Sequence, residues 1–274
     1  FCDVRGFSRK VEAARDLHSL LQQVSHVLSV MTRSILKYEG VIADFQGDAA
    51  LGFWGWPSEN EEGASMACRA ALLIHDTFAN AQQDSKHPLH GFNVGIGLAH
   101  GDAIAGQIGA EEQIKVGVFG PVVNLASRLQ DFTKLVGVPI LMDGPMAEKL
   151  ALSSLNPDDA SLRHLGSFRP PGLDNAVDVH ALLSSAMAAP LERELVSAHH
   201  RAVDAMRAGD WEAARGLLRG LAARDKPSEF LLGVLSKSGK NPPIDWDRVF
   251  QVDREGTVSC RTGKTTQIMR PGEE

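Results

Sequence analysis

The stretch VIADFQGDAALGFWGWP, residues 41–57, constrains the fold more than any other part of the chain. It reads as a strand, a tight turn holding Asp48, and a second strand, because apolar runs flank a Gly-Asp pair. An apolar hairpin that presents one carboxylate at its tip, with a second, Asp44, four residues earlier, needs a reason for both acids.

The neighbouring periodicities say what the hairpin packs into. Upstream, Leu17, Leu20, Leu21, Val24, Leu28, Met31 and Ile35 recur at helical spacing until Gly40 stops the run. Downstream, EEGASMACRAALLIHDTFANAQQ is an alanine-rich helix, and FNVGIGLAHGDAIAGQIG reads as a hairpin of two glycine-broken strands around His100, Gly101 and Asp102. From Pro121 to Gly137 the pattern is again helical, with proline in the first turn and glycine as the stop. VPILMD is a short buried-type strand, and FRPPGLDNAVDVHALLS supplies the last β elements. This alternation predicts an α/β (α+β) sandwich built around a ferredoxin-like βαββαβ core, occupying residues 1–184.

Residues 185–253 read as a helical extension. LERELVSAHHRAVDAMRAGDWEAARGLLRGLAARD gives two helices joined at AGDW, a helical hairpin like a single tetratricopeptide-type unit. One such unit does not bury its apolar face alone, so it is expected to pack on the main domain or on a partner. Residues 254–274 are polar and Gly/Thr-rich, and are expected to be a disordered tail.

Composition limits the partners. The net charge is −6 with basic residues scattered, which argues against a nucleic-acid partner. Cys2, Cys68 and Cys260 are widely spaced with no CxxC pair, so neither a disulfide framework nor a zinc site is indicated, and a reducing, cytoplasmic setting fits. No apolar stretch approaches the ~18 residues that span a bilayer. The opening FCDVRGFS looks like the end of a strand, from which we expect upstream sequence with room for a sensor or a membrane anchor.

Two motifs are decoys. TGKTT at 262–266 resembles a phosphate loop, but Val258 stands where that loop needs its first glycine. GIGLAHG spaces its glycines as GxGxxxG within a β pattern, unlike a dinucleotide fingerprint. The stronger signal is a set of separated polar groups. Asp3 and Asp48 could meet at adjacent strand ends and suit Mg²⁺, which takes one or two protein carboxylates and completes its shell with substrate phosphates. Either aspartate alone is more often a turn residue capping its own backbone. Asn124 and Arg128 lie four apart on one face of the Pro121 helix, where an arginine can stabilise a transferring phosphoryl group and an asparagine can orient a sugar oxygen.

FCDVRGFS, GVIADFQGDAALGFWGWP, VGIGLAHGDAIAGQIG and VFGPVVNLASRL, in this order and spacing, resemble the class III nucleotide cyclases, the adenylate and guanylate cyclase family. The resemblance covers residues 1 to about 183. It implies two Mg²⁺ (or Mn²⁺) ions held by Asp3, Asp48 and the backbone carbonyl of Val4, and phosphates wrapped by backbone N–H groups of Gly6, Phe7 and Ser8. It implies that Asn124 contacts the ribose and Arg128 the α-phosphate, from the protomer opposite the metal aspartates, in a head-to-tail homodimer with composite sites.

Three positions depart from the pattern. Asp44 stands where adenylate cyclases of the family usually carry a lysine that donates to adenine; a carboxylate only accepts, and guanylate cyclases carry an acid there. Gly117 matches the second base-reading position but has no side chain. Pro171 replaces the common phosphate-binding lysine, with Arg169 as a candidate surrogate. The expected function is metal-dependent conversion of a nucleoside triphosphate, ATP ahead of GTP, to the 3',5'-cyclic mononucleotide and pyrophosphate for signalling. The alternative is a catalytically silent dimeric regulatory or binding module.

Overall fold

The computed structural model describes residues 1–110, 113–151, 160–184, 193–253 and 256–260. A nine-stranded mixed sheet forms the centre. Its first part is β1 (Cys2–Val4), α1 (Phe7–Ala13), α2 (Leu17–Lys37), β2 (Val41–Gln46), β3 (Ala49–Phe53), α3 (Gly63–Ala81) and β4 (Val94–Leu98). Within the sheet these strands run β4-β1-β3-β2 with antiparallel neighbours, which is the ferredoxin-like βαββαβ arrangement that the sequence predicts.

The segment after FCDVRGF holds two helices, α1 and α2, and not a single one. Asp16 is the reason: its carboxylate accepts the His18 and Ser19 N–H groups and so starts α2 afresh. Downstream come β5 (Ile104–Ala110), β6 (Gln113–Phe119), α4 (Pro121–Val136), β7 (Ile140–Asp143), α5 (Gly144–Ala151), β8 (Ala160–Arg169) and β9 (Val177–Ser184). Pro121 opens α4, and Gly137, with φ 79°, closes it in the left-handed conformation that glycine adopts freely. The expected hairpin around His100 does not form. β4 is already flanked by β1 and β7, so β5 has no edge to join and pairs with β6 in a separate two-stranded ribbon.

Helices cover both faces of the sheet. On one face α2, α3 and α5 bury Met31, Ile35, Phe78, Ile96, Ile140 and Met142. On the other, α4 packs with the C-terminal extension over Leu141, Leu165, Phe168 and Val179. Ile140 and Leu141 thus point to opposite cores, as strand alternation requires.

The extension contains α6 (Arg193–Ala208), α7 (Trp211–Leu221) and α8 (Lys226–Lys237), followed by β10 (Val249–Val252) and β11 (Val258–Ser259). The α6–α7 pair turns at Gly209 and Asp210, the AGDW site read from sequence. α8, β10 and β11 were not foreseen. β10 adds parallel to β8, pairing Phe250 with Phe168, and so lengthens the main sheet. Val258–Ser259 therefore forms a strand inside what reads as a polar tail, while 261–274, including TGKTT, lies outside the described residues. Helix α4 is braced by this extension: Phe132 meets Phe230 of α8 at 5.7 Å and Phe168 at 5.0 Å between ring centroids.

Beneath α6 and α8 lies a buried polar network. Arg163 of β8 holds Asp225 through both guanidinium nitrogens, at 2.6 and 2.5 Å. His199 of α6 is fully buried and lies 2.9 Å from Ser228 and 3.2 Å from the His164 carbonyl. A carbonyl can only accept, so Nε2 carries the proton, and in the neutral ring Nδ1 accepts from the Ser228 hydroxyl. No helix among the described residues is long and apolar enough to cross a membrane.

Candidate active site

The Cys2–Ala50 pairing sets the end of β1 beside the β2–β3 turn, and this brings Asp3 to Asp48. Asp3 is held up at about 6, first by burial, then by the negative charge of Asp48 and a hydrogen bond between the two carboxyl groups, with Lys134 acting in the opposite direction. Gly47, with φ 65°, supplies the left-handed residue that the turn requires.

Helix α4 closes one side of this pair. Gln130 Nε2 lies 3.4 Å and Lys134 Nζ 3.8 Å from Asp3 Oδ2. Arg5 reaches across to the end of the same helix and donates to the Val138 carbonyl at 2.7 Å and the Thr133 carbonyl at 3.4 Å. Arg5, Gln130 and Lys134 escape a reading of the motifs; the i, i+4 spacing of Gln130 and Lys134 was the available signal.

Two like charges crowded into a half-buried site fit a cation that would relieve them. Among the described residues no cluster of three or more His, Cys, Asp or Glu side chains is poised for a metal. A two-carboxylate site of this kind suits a hard ion that takes its remaining oxygens from phosphate and water. The Val4 side chain is buried, so only its backbone is available at this rim. Gly6, with φ 71°, turns the chain into α1, and Ser8 is exposed there, whereas the Phe7 ring packs against the core.

Asn124 and Arg128 occupy a different stretch of α4 from Gln130 and Lys134, and both are exposed. Asn124 lies six residues, or ~9 Å of helix axis, before Gln130. Arg128 Nη2 stands 4.0 Å from where a Cβ on Gly172 would be, so Arg128 looks onto the 170–174 turn. Asp3 and Asp48 thus lie at the end of β1 and the β2–β3 turn, and Arg128 faces the 170–174 turn.

Arg169, the candidate replacement for the lysine missing at Pro171, has another partner. Its Nη2 lies 3.5 Å from Asp247 of the extension, because β10 runs alongside the end of β8. Asp44 is engaged as well: Lys115 Nζ of β6 donates to its Oδ2 at 2.8 Å, and the Phe45 N–H donates to Oδ1 at 3.0 Å. The bond from Lys115 is the chief reason the Asp44 carboxyl sits below the usual carboxylate range. A Cβ at Gly117 would lie 2.8 Å from Ile108 Cδ1 and 3.1 Å from the Phe119 ring, so a side chain there asks the exposed end of Ile108 to turn aside.

Comparison with known proteins gives the family and the fold. Adenylate cyclase 1 of Rhizobium meliloti (strain 1021) is 26% identical over 186 residues, covering 67% of this chain and 27% of that protein. The adenylate cyclase of Anabaena cylindrica is 28% identical over 186 residues, covering 66% of this chain and 35% of its own length. The chain therefore spans about a quarter to a third of these curated relatives. Among solved structures, the adenylyl cyclase CyaB from P. aeruginosa superposes with a TM-score of 0.56 at 23% identity, over 67% of this chain and 91% of that one. The guanylyl cyclase Cya2 gives 0.57 at 23% identity, over 67% and 89%. These likenesses show the shared fold. The family profile described as "Adenylate and Guanylate cyclase catalytic domain" matches residues 1–140, just over half of the chain, and the chain belongs to that family.

Proposed function

We propose that this chain is the catalytic part of a nucleotide cyclase that converts ATP, or less readily GTP, to the 3',5'-cyclic mononucleotide and pyrophosphate. The observation that carries the reading is the Asp3–Asp48 pair, two acids held together by a strand and the neighbouring hairpin turn at the price of a raised Asp3 pKa. Asp3, Asp48 and the Val4 carbonyl are the groups that would hold two Mg²⁺ or Mn²⁺ ions, whose chemistry is to make the ribose 3'-hydroxyl a better nucleophile and to neutralise the triphosphate. The turn at Gly6 to Ser8 offers backbone N–H groups to the phosphates. Asn124 orients the ribose, and Arg128 sets a fixed positive charge against the α-phosphate as its charge builds during displacement of pyrophosphate.

The acidic pair and the Asn124–Arg128 pair are read as the two halves of a site completed in a homodimer. In a head-to-tail pair, Asn124 and Arg128 of one protomer would face Asp3 and Asp48 of its partner. The β5–β6 ribbon leaves Ile104, Ile114 and Phe119 more than half exposed, an apolar surface suited to such an interface. Signalling by the cyclic product is the role this activity would serve.

A second reading, a silent regulatory module, draws on Arg169. With Pro171 in place of lysine and Arg169 turned to Asp247, the 170–174 turn offers little positive charge beyond Arg128. Incubating purified protein with each of the four nucleoside triphosphates and Mn²⁺, followed by product analysis, separates the two. A cyclic product with one purine nucleotide is expected; its absence from dimeric protein at high concentration would leave the silent module.

A further inference from the structure

The Lys134 ammonium stands beside the acidic pair of its own chain. Resting on the cyclase reading, we propose that Lys134 is an internal competitor for the divalent cation at Asp3 and Asp48, with Asp131 as the partner it falls back on. The charges on α4 thereby set the metal concentration at which the site fills.

The sheet is shaped to bring Lys134 there. Asp3 of β1 pairs directly with Gly95 of β4, and the side-chain positions of opposed residues lie on the same face. A Cβ on Gly95 would stand 2.5 Å from Thr133 Oγ1 and 3.3 Å from Gln130 Nε2, so the missing side chain lets this turn of α4 come down beside Asp3. Arg5, two residues beyond Asp3, fastens the end of the helix through the Thr133 and Val138 carbonyls. Gln130, which is buried, then reaches Asp3 Oδ2 at 3.4 Å, and Lys134, one turn further on, brings its ammonium to 3.8 Å from the same oxygen.

That ammonium has two carboxylates to choose between. Asp131, three residues earlier on α4, lies 3.1 Å from Lys134 Nζ and is the nearer of the two. Lys134 and Asp131 are about half exposed, whereas the Asp3 side chain is 24% exposed, so the contact with Asp3 is the less screened by water. Ion pairs of this exposure contribute little to stability, which makes stability a weak reason for a lysine at 134.

Its charge matters where a second cation seeks the same oxygen. Lys134 already offsets part of the repulsion that burial and Asp48 impose on Asp3. A hard divalent ion does the same with twice the charge and takes carboxylate oxygens as ligands. Like charges repel, so ammonium and metal oppose each other at Asp3. As the metal enters, Lys134 gives up Asp3 and keeps Asp131, a change that its flexible four-carbon stem makes without moving the helix. Arg5 cannot take this part, because its guanidinium is engaged by the two carbonyls.

The test is Mn²⁺ binding, read as loss of the free-ion electron paramagnetic resonance signal, by purified protein alone and with the non-cyclising analogue α,β-methylene-ATP. Wild type is compared with Lys134→Met, Lys134→Arg, Asp131→Asn and the double variant Lys134→Met/Asp131→Asn, each checked for folding by circular dichroism. Lys134→Met should bind Mn²⁺ about 3- to 10-fold more tightly, the effect of one nearby and partly screened charge, and Lys134→Arg should stay within about 2-fold of wild type. Asp131→Asn should bind about 2- to 5-fold more weakly, because it leaves Lys134 with Asp3 alone. In the Lys134→Met background the same change should have no effect, since Asp131 acts through Lys134. Equal affinities in wild type and Lys134→Met, or additive effects of the two changes, would overturn the inference and leave the cyclase reading standing. Mn²⁺ uptake by neither protein would show that the acidic pair is no metal site, and the cyclase reading would fall together with the inference.

Discussion

Gly97 of β4 lies directly beneath Ala126 of α4: a Cβ at 97 would stand 2.0 Å from the Ala126 carbonyl oxygen and 2.5 Å from the Gln130 nitrogen. Gly95 is equally tight, with the Thr133 hydroxyl 2.5 Å from its would-be Cβ. Helix α4 sits flush on the sheet because these two positions carry no side chain, and that seating determines where Gln130, Lys134, Asn124 and Arg128 stand. Gly97→Ala should force the helix outward, cost about 1–3 kcal/mol of stability and reduce kcat more than it raises KM. Thermal melting together with steady-state kinetics checks it, and a fully active, equally stable variant would contradict this account of the helix.

Asp48→Ala removes half of the acidic pair and also the like charge that helps to raise Asp3. Turnover should fall by about 100-fold or more while the melting temperature holds or rises. Unchanged turnover would remove the metal assignment from Asp48.

Mixing Asp3→Ala protein with Arg128→Ala protein should restore activity that neither has alone. Random exchange makes half of the dimers mixed, each with one of its two sites intact, so about a quarter of wild-type activity is expected. Mixed dimers that form yet stay inactive would argue against sites shared between protomers.

Arg163 and Asp225 are both buried, and Asp225 also starts α8 by accepting the Ser228 N–H. Arg163→Met leaves a carboxylate buried without its counter-charge and should cost about 3–5 kcal/mol. Replacing both partners with apolar residues should cost less. Chemical denaturation of the two variants gives the comparison.

Burial depresses His199 to about 3 and His180 to about 4, each below the ordinary 6.5. The unfolded chain then binds more protons than the native one in acid, so the stability linked to these rings is fully present above pH 6.5 and declines as pH falls below it. The melting temperature should drop from pH 7 to pH 5, and His199→Gln should flatten that decline. A profile identical in wild type and variant would show that His199 does not titrate on unfolding.

Several elements were legible in the chain because their signals are local. Pro121 and Gly137 bound α4, Gly47 and Asp48 mark the hairpin turn, and Gly209 with Asp210 separates α6 from α7. The continuous apolar run of β7 and the helical period of α2 depend only on neighbours a few residues away. The acids at 3 and 48, and the i, i+4 pair at 124 and 128, are candidate site residues through the resemblance of their motifs to the cyclase family.

Tertiary structure decided what depends on distant partners. β5 left the sheet because β1 and β7 already hold both sides of β4, and VFQV at 249–252 became a strand because the edge of β8 was open to it. Gly95 and Gly97 of GIGLAHG, a decoy in sequence, exist for the approach of a helix about thirty residues away. Asp44 is an isolated acceptor in the sequence and half of a charged pair in the fold, since Lys115 is 71 residues distant along the chain. Periodicity and turn chemistry carry short-range sterics; which side chains meet is set by sheet edges and close packing, and those emerge only when the whole chain has found its neighbours.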